Sequence, residues 1–547
     1  MTHIRSIIVT IVLSTVTATT AVIAQQTNAS TTRHGETAAA KPNTDGGNAK
    51  AGTEVGASQR SYQQARRVLD DGIEAMGGLE ALRAIKDFTL KEKGKIHARY
   101  QSPSPEPPFA IGTSEETLIV DNDRGLLFDD LKTEGGGFNN WVKTYIKGTE
   151  GHTLDMWSRT DTPIAEPSLN NFRGQIRRLP PFVLLEALDR AATLRWVGED
   201  QLEGKKQRVI SVIRPDNQQL ALYFDAQTNL LTRYEYLYAD PMAGDSVIGQ
   251  SYPAYRTVGK LKLPTGRVLY NSGGVVQETE YTDVEVNTRP AESVFEVPQG
   301  FEKLAAAPAT PPPPAVTKVA DDVYMLERLA GGTHNMMFVA FNDYVLVLEA
   351  PEQIIYGSNS VQALAKIKET VPGKPIKYLV LTHHHSDHAG GFREYVAEGA
   401  TIVTTPGNKS FLERVAATES SLLPKSKGKI VIETLENKKR VFQDDKHRVE
   451  LYDIGPNPHA NEIIVAYLPK EKILFQGDML NPAANGSIPI AQDVTISFNE
   501  KLQTLGLDVE KIYGVHGRAA TPQEMRTSIE RRRASDLKIV SEQSKGN

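Results

Sequence analysis

The stretch THHHSDHAGG, residues 382–391, contains four histidines and one aspartate within six positions. It follows the apolar run IKYLVLT, which predicts a buried strand. Binding sites of α/β domains usually lie at the C-terminal ends of such strands. This polar stretch is therefore the strongest candidate for a functional site.

The spacing of the polar side chains predicts which of them face a common point. Alternate residues of extended backbone face one way, so His383, His385 and Asp387 are expected to converge. His384 is expected to point elsewhere and not to bind metal. The AGG that follows allows a tight turn into a helix with His388 in its first turn. Two imidazoles beside an Asp–His pair suit two divalent ions better than one, and favour zinc, although iron or manganese accept the same groups.

Three further polar residues lie at the ends of apolar strands. They are His459 in IGPNPHANEIIVAYLP, Asp478 in KILFQGDML and His516 in KIYGVHGR. Each lies beside glycine, proline or asparagine, so each is expected on a loop at one rim of the sheets. A lone histidine tract would be interpreted as a solvated segment that binds metal adventitiously. The distant partners favour a true metal site instead.

The same elements, in the order HHHSDH, His459, GD and GVHG, resemble the metallo-β-lactamase fold superfamily. The resemblance covers about residues 317–547 and implies a four-layer αββα sandwich with the site along one edge of its two sheets. It also implies the ligands of two zinc ions per chain: His383, His385 and His459 for the first, Asp387, His388 and His516 for the second, and Asp478 as the bridge.

The resemblance implies a metal-dependent hydrolase in which a metal-bound hydroxide attacks a small-molecule substrate. Asp387 would also orient that hydroxide and is the candidate catalytic residue. The bond is left open between ester, thioester, lactone and lactam, because the fold hosts hydrolases of many substrates. The chain contains no cysteine, which excludes the β-lactamases that use a cysteine ligand. Asp478 resembles the site of thioesterases and lactonases more closely.

A mononuclear iron enzyme similar to sulfur dioxygenases is the alternative, since such an enzyme can keep similar ligands. Iron redox members of the superfamily usually replace the second histidine by glutamate, whereas this chain keeps His385. Glyoxalase II is disfavoured, because only one helix and a short tail are expected after His516. Two other histidines, His334 in GGTHNMM and His447 in DDKHR, are predicted at the surface, with a substrate contact as the alternative for His334.

The N-terminal residues predict export. Residues 1–24 contain an apolar run that ends in small or apolar residues at Ala24, as in a cleaved signal peptide, and predict a periplasmic or secreted protein. An uncleaved membrane anchor is the alternative. Residues 25–60 lack large apolar side chains apart from one valine and predict a disordered linker. No later stretch is apolar enough for a transmembrane helix, and a net charge of −5 makes nucleic acid an unlikely partner.

The 547 residues are too many for one ordinary core, so an α+β protein of two domains is expected. Residues 61–302 predict an antiparallel β domain, after two short helical pieces around the break Gly77-Gly78. Its strand pattern resembles periplasmic lipoprotein-sorting carriers, which implies a curved sheet and a lipid-like ligand. A domain that only packs against the catalytic domain is the alternative. Residues 303–316 form a proline-rich linker, and 317–547 form the metallo-β-lactamase-like domain.

Overall fold

The computed structural model describes residues 55–543, except 137–138, 307–311, 353–358, 422–428, 483–485 and 487. The predicted signal peptide, most of the predicted 25–60 linker and the centre of the proline-rich linker lie outside the described residues. The first helix begins at Ala57, four residues before the predicted start of the β domain.

The N-terminal part combines four helices with a large sheet. Its helices are α1 (Ala57–Ala75), α2 (Leu79–Arg83), α3 (Glu166–Arg173) and α4 (Pro180–Asp189). Its strands are β1 (Asp87–His97), β2 (Ile111–Asp121), β3 (Leu126–Gly135), β4 (Asn140–Lys147), β5 (Glu150–Asp155), β6 (Thr160–Pro163), β7 (Arg195–Leu202), β8 (Lys205–Ile213), β9 (Gln219–Asp225), β10 (Leu231–Asp240), β11 (Gly244–Ser251), β12 (Tyr255–Val258), β13 (Leu261–Pro264), β14 (Gly266–Asn271), β15 (Gly274–Val286) and β16 (Glu302–Lys303).

Fourteen of the described strands form one sheet, in the order β16-β6-β5-β4-β3-β2-β1-β15-β14-β11-β10-β9-β8-β7. Every neighbouring pair is antiparallel apart from β16 and β6. Leu69 of α1 and Leu184 of α4 share one core with Phe88 of β1 and Leu222 of β9. The helices therefore cover part of the sheet.

The two helical pieces around Gly77-Gly78 are confirmed as α1 and α2. Both glycines have positive φ, which glycine adopts without strain. The expected antiparallel β domain, residues 61–302, also contains two helices that the sequence analysis did not predict, α3 and α4. The segment PPFVLLEALD begins with prolines at the first helical positions and continues with good helix formers.

A buried group of charged residues lies within the β domain. Arg178, in the 3₁₀ turn Gly174–Arg178, contacts Glu116 at 2.7 Å and Glu92 at 3.3 Å, and Arg267 contacts Glu92 at 2.8 Å. Burial raises the pKa of Asp129, and the nearby Glu116 charge adds to this, so that Asp129 stays protonated. Burial opposes ionisation of Glu116 too, but the Arg178 cation outweighs it and lowers the pKa of Glu116 to about 2. The stability of this interior depends on the two arginines.

The C-terminal part contains two further sheets. Its helices are α5 (Asn359–Thr370), α6 (Ser386–Ala389), α7 (Phe392–Ala397), α8 (Pro406–Ala417), α9 (Asp493–Leu505) and α10 (Pro522–Gln543). Its strands are β17 (Ala315–Ala320), β18 (Val323–Leu329), β19 (His334–Ala340), β20 (Val345–Leu348), β21 (Ile376–Val380), β22 (Thr401–Thr404), β23 (Ile432–Thr434), β24 (Lys439–Gln443), β25 (Arg448–Asp453), β26 (Ile464–Leu468), β27 (Ile473–Gln476) and β28 (Lys511–Gly514).

The two sheets pack against each other and carry helices on their outer faces. The described strands β17 to β23 form the first sheet and β24 to β28 the second, each in chain order. Leu346 and Val380 of the first sheet share a core with Leu451 and Phe475 of the second. Separate cores join the first sheet to α5, α7 and α8, and the second sheet to α9 and α10. Among the described residues, no helix combines the length and apolarity that a membrane crossing needs.

We predict that Arg178→Met destabilises the β domain. The substitution leaves the buried Glu116 carboxylate without its cation, which costs about 3–5 kcal/mol of unfolding free energy. Urea unfolding followed by tryptophan fluorescence measures this, because all three tryptophans lie in this domain: Trp141, Trp157 and Trp196. The matched control is Arg83→Met at an exposed position of α2, for which a change within about 0.5 kcal/mol is expected. Equal effects of the two substitutions would contradict the role of Arg178.

Candidate metal centre

The seven residues predicted to bind metal lie at the ends of strands on one edge of the two sheets. The stretch 382–385 follows β21 and leads into α6, which contains Asp387 and His388. His459 lies between β25 and β26, Asp478 follows β27 and His516 follows β28. Because β27 and β28 are parallel, their C-terminal ends meet at the same edge. The Ile464 amide donates to the Thr382 carbonyl at 2.8 Å and joins the two sheets there.

The first group of candidate ligands comprises His383, His385, His459 and Asp478, whose ligand atoms lie within 4.8 Å of one another. The Nε2 atoms of His383 and His459 are 3.1 Å apart. Asp478 Oδ2 lies 2.9 Å from His459 Nε2 and 3.8 Å from His383 Nε2. The structure thus brings these four side chains to one point from three separate segments.

The second group comprises Asp387, His388, His516 and again Asp478. Asp478 Oδ2 lies 3.1 Å from His388 Nε2, and Asp478 Oδ1 lies 3.0 Å from His516 Nε2. Asp387 Oδ2 is 3.6 Å from the Nε2 atoms of both histidines. Asp478 therefore lies between the two groups, which divide the ligands as the family resemblance implies.

The spacing of these atoms fits metal ions. Zinc–nitrogen distances of about 2.0–2.1 Å place two ligand atoms of a tetrahedral site roughly 3.3 Å apart. The measured separations within the groups, from 2.9 to 3.8 Å, lie around this value. One of the converging atoms, His385 Nδ1, is buried and lacks a hydrogen-bond partner among the described residues. Such atoms are expected where a metal binds.

The other ring nitrogens of the histidines are held by neighbouring oxygens. His383 Nδ1 lies 3.0 Å from Thr382 Oγ1, and His516 Nδ1 lies 3.1 Å from the Thr333 carbonyl. His385 Nε2 lies 3.0 Å from the carbonyl of Ser102. Such contacts fix the ring orientation and leave the opposite nitrogen free to bind metal.

Glu349 is a residue of the site that the sequence analysis missed. Its carboxylate is fully buried, lies 3.3 Å from His388 Nδ1 and accepts a hydrogen bond from the Thr382 amide at 3.0 Å. Its φ of 81° is unfavourable for a residue with a side chain. The signal in the sequence was a lone glutamate at the end of the apolar run YVLVLEA. Glu349 therefore orients His388 in a carboxylate–histidine pair.

The residue before Asp478 is Gly477, and its surroundings leave no room for a side chain. A Cβ at this position would lie 2.8 Å from Thr382 Oγ1 and 3.3 Å from the His383 ring. A side chain there would push the end of β27 away from the histidine stretch. Glycine thus permits the close approach that places Asp478 between the two groups.

The surface positions predicted for two histidines are wrong. His334 begins β19, is fully buried, and its ring lies 4.3 Å from that of His516. Its Nε2 is 3.5 Å from Asp387 Oδ2, so it borders the second group. His447 is also buried, and its ring packs edge-on against Phe341 at 5.9 Å. Both errors have the same cause. A histidine beside turn residues has the same local sequence pattern in a solvated loop as in a buried one.

His384 lies outside both groups of candidate ligands. Its Nε2 lies 3.0 Å from the Ser102 carbonyl, and its ring packs 6.0 Å from that of Phe411. His384 is not among the candidate ligand atoms, but its ring does not point away from that of His385, since both rings contact the same carbonyl oxygen.

The electrostatics of the site favour a bound cation. Burial opposes charge on every group, but the carboxylate of Asp478 outweighs burial and raises the pKa of His516 to about 9. Burial and the neighbouring imidazoles lower the pKa of His383 and His385. Asp387 remains ionised in spite of burial, because His388 lowers its pKa. The carboxylates of Asp478 and Asp387 also raise the pKa of His388 despite burial, so His388 and His516 must release protons when a metal binds.

Comparisons with known proteins show which family the candidate site resembles. The model of the metallo-beta-lactamase superfamily matches residues 357–516, a range that contains all the candidate ligands. The chain is similar to a solved metallo-beta-lactamase from Pontibacter korlensis, with 21% identity, 40% of this chain and 99% of that chain covered, and a TM-score of 0.31. A metallo-beta-lactamase from Hirschia baltica is 20% identical, with 40% of this chain and 96% of that chain covered and a TM-score of 0.30. The stereoselective inverting sec-alkylsulfatase Pisa1 from Pseudomonas sp. is 14% identical, with 43% of this chain and 44% of that chain covered and a TM-score of 0.31. No curated protein matches the chain.

We predict that Glu349→Gln weakens metal binding. The amide keeps the size of the side chain but removes the negative charge beside His388, and loss of such a partner typically costs about 10- to 100-fold in metal affinity. Competition with a chromogenic chelator measures the affinity for zinc. Glu436→Gln, at an exposed position, is the control and should bind zinc as the unmodified protein does. Unchanged affinity in Glu349→Gln would show that the carboxylate does not orient His388.

Proposed function

We propose that the C-terminal domain, a member of the metallo-beta-lactamase superfamily by its match over residues 357–516, is a hydrolase that binds two divalent metal ions. The observation that carries the proposal is the position of Asp478 between two complete groups of ligand atoms. A mononuclear iron enzyme, the alternative from the sequence, would use only one of these groups. Because such an enzyme can keep similar ligands, metal analysis of the purified protein, with two zinc ions or one iron ion per chain as the two outcomes, distinguishes the dinuclear hydrolase from it.

Zinc is the metal that the side chains fit best. The two groups contain five imidazoles and two carboxylates, and the chain has no cysteine. Imidazole and carboxylate ligands suit zinc, whereas softer metals prefer thiolates. When bound, the pair of ions would lower the pKa of a water molecule towards neutrality and polarise the bond under attack.

Asp387 is proposed to orient the attacking water. Its Oδ2 atom faces His388 and His516, and it is ionised, so it can accept a hydrogen bond from a water molecule beside the second group. Holding the nucleophile in line with the substrate lowers the entropic part of the barrier. Since water is the nucleophile, no serine or cysteine is required, which agrees with the absence of cysteine.

The substrate is proposed to approach from the side of the carboxylates and His459. The side chains of His459, Asp387 and Asp478 are 13%, 10% and 9% exposed, whereas those of His383 and His388 are fully buried. The accessible part of the site is thus the boundary between the two groups. A carbonyl placed there would lie beside both groups, where bound cations would stabilise the charge that develops during hydrolysis of an ester, thioester, lactone or lactam.

A lipid-like ligand in the β domain, implied by the resemblance to lipoprotein carriers, is not part of this proposal. The interior of that domain contains the buried charges of Glu92, Arg178 and Arg267. An acyl chain would give these groups no hydrogen-bond partner.

We predict that the zinc-loaded protein hydrolyses at least one member of a panel of lactones, thioesters, esters and lactams. Asp387→Ala should lower kcat/KM by at least about 100-fold, because the variant loses both a ligand and the group that positions water. His383→Ala is the control for contaminating hydrolases. Metal analysis of each preparation, with two zinc ions expected per unmodified chain, is the second measurement. Full activity of metal-loaded Asp387→Ala would exclude the proposed role.

The protein is proposed to be periplasmic or secreted, on the evidence of its N-terminal sequence. We predict that expression in a Gram-negative host yields a mature chain that begins at Gln25, because the residues before it end as a signal peptidase site does. Intact mass and N-terminal sequencing of protein released by osmotic shock test this. A chain of full length in the membrane fraction would support the uncleaved anchor instead.

A further inference from the structure

The connection between β1 and β2, residues 98–110, reaches from the N-terminal domain into the candidate metal centre. Its sequence is ARYQSPSPEPPFA. The loop closes on itself at its base, where the Ala98 amide donates to the Ala110 carbonyl at 2.9 Å. The Ala110 amide in turn donates to Ser102 Oγ at 2.9 Å. The loop is therefore held in a defined shape by its own hydrogen bonds.

Consecutive residues of this loop contact the segments that carry the metal ligands. The Tyr100 carbonyl accepts a hydrogen bond from the Ser386 amide at 3.3 Å, next to Asp387. The Pro103 carbonyl accepts one from the Asn461 amide at 2.9 Å, two residues after His459. The loop thus joins two of the segments that the centre requires.

The Ser102 carbonyl fixes the ring of His385. It lies 3.0 Å from His385 Nε2 and is buried with the rest of its residue. A carbonyl only accepts, so His385 Nε2 must carry the proton and Nδ1 must be the free lone pair. His385 Nδ1 is also the ring atom that is buried without a partner among the described residues. A backbone group of the N-terminal domain therefore selects the tautomer that a ligand in the first group needs.

The side chain of Gln101 holds Asp387. Its Nε2 donates to Asp387 Oδ1 at 2.7 Å, whereas Oδ2 of the same carboxylate faces His334, His388 and His516 at 3.5 to 3.6 Å. The amide thus occupies one oxygen and directs the other into the second group. Gln101 does not belong to either group of candidate ligands and acts through its bond to Asp387, so it is a positioning residue.

We propose that the N-terminal domain completes the metal centre, with Gln101 positioning Asp387 and the Ser102 carbonyl positioning His385. The inference rests on the dinuclear centre proposed above. The β domain then has a role in the chemistry of the other domain. A domain that only packs against its neighbour, or only binds a lipid-like ligand, would have no such role.

Other contacts hold the two domains together around this loop. Arg414 forms an ion pair with Glu106 of the loop, and the ring of Tyr100 packs against that of Phe411 at 6.4 Å. Away from the loop, Met242 of the N-terminal domain lies in the core of the first C-terminal sheet, and Arg393 donates to the Pro241 carbonyl at 3.4 Å. The position of Gln101 is therefore supported by a wider interface.

Gln101→Leu tests the proposal in the full-length protein. Leucine keeps the approximate volume but removes the donor to Asp387. We expect one of the two bound zinc ions to lose about 10- to 100-fold in affinity and the other to bind as before, because Asp387 belongs to the second group only. Titration of the zinc-loaded protein with a chromogenic chelator resolves the two ions, and metal analysis after dialysis counts them. Gln219→Leu, at an exposed position of β9, is the matched control.

The outcomes separate this inference from the proposed function. If the unmodified protein binds no zinc, the dinuclear centre itself is wrong. If it binds two zinc ions and Gln101→Leu binds both with the same affinities, Gln101 has no positioning role. The thermal midpoint of the metal-free variant is measured as a check on folding. If leucine lowers this midpoint, Gln101→Asn, whose shorter side chain withdraws the amide from Asp387, decides the question by the same zinc titration.

A second variant tests the Ser102 carbonyl, which no side-chain substitution removes. Replacement of residues 98–110 by Asn-Gly closes β1 and β2 as a two-residue hairpin, since His97 pairs with Ile111. This variant loses the partners of both His385 and Asp387. We therefore expect both zinc ions to bind more weakly, with the tryptophan fluorescence of the N-terminal domain preserved. If only one zinc ion binds more weakly, the Ser102 carbonyl has no positioning role and the loop acts through Gln101 alone.

Discussion

The structure of the C-terminal domain depends on the convergence of two carboxylates with five imidazoles in a buried volume. Asp387 and Asp478 are almost fully buried, and burial of an unpaired carboxylate is costly. The surrounding histidines offset part of this cost, since His388 and His516 lower the pKa of Asp478 despite burial. The carboxylates in turn raise the pKa of His388 and His516, so a divalent cation that binds here takes the place of their protons. The sheets, glycines and loops around the two carboxylates and five imidazoles hold these side chains at one edge.

That edge exists because strands of both sheets end together there. The first sheet contributes the end of β20, which carries Glu349, and the end of β21, which leads into the histidine stretch. The second sheet contributes Asp478 and His516 from parallel neighbours. The core between the sheets fixes their relative position, with Phe475 and Leu346 among its buried side chains. Packing far from the ligands therefore controls the distances among them, and at Gly477 the two segments approach so closely that a Cβ would lie 2.8 Å from Thr382 Oγ1.

The parts of this structure that the sequence predicted are those with local signals. The sequence TPQE, residues 521–524, has the pattern of a capping box, and the Thr521 amide lies 2.8 Å from Glu524 Oε2 at the start of the last helix. The run IKYLVLT becomes the buried strand β21. The apolar pattern of VADDVYML predicts one strand, whereas a turn at Asp322, with φ of 53°, divides the run between β17 and β18. Aspartate tolerates this conformation, and the periodicity of apolar residues does not show it.

The candidate ligands were predictable from motif order, whereas the groups that orient them were not. Glu349 and Thr333 act through contacts with residues far away in sequence, His388 and His516 respectively. Ser102 contributes only a carbonyl, which every residue possesses, so its identity carries no signal. Gln101 lies 286 positions from Asp387 and in a segment of no apparent chemistry. Such groups follow from the packing of the two domains and become visible only when the fold is known.

The covalent connection of the two domains gives the loop contacts their strength. A loop that supplied one carbonyl and one amide from a separate protein would have to offset the loss of translational and rotational freedom on association. In a single chain the second domain is already present at a high effective concentration. The contacts of Met242 with the first C-terminal sheet and of Arg393 with Pro241 then restrict the orientation further. A few hydrogen bonds are enough under these conditions to hold His385 and Asp387, and the β domain can shape the metal centre without contributing a ligand to it.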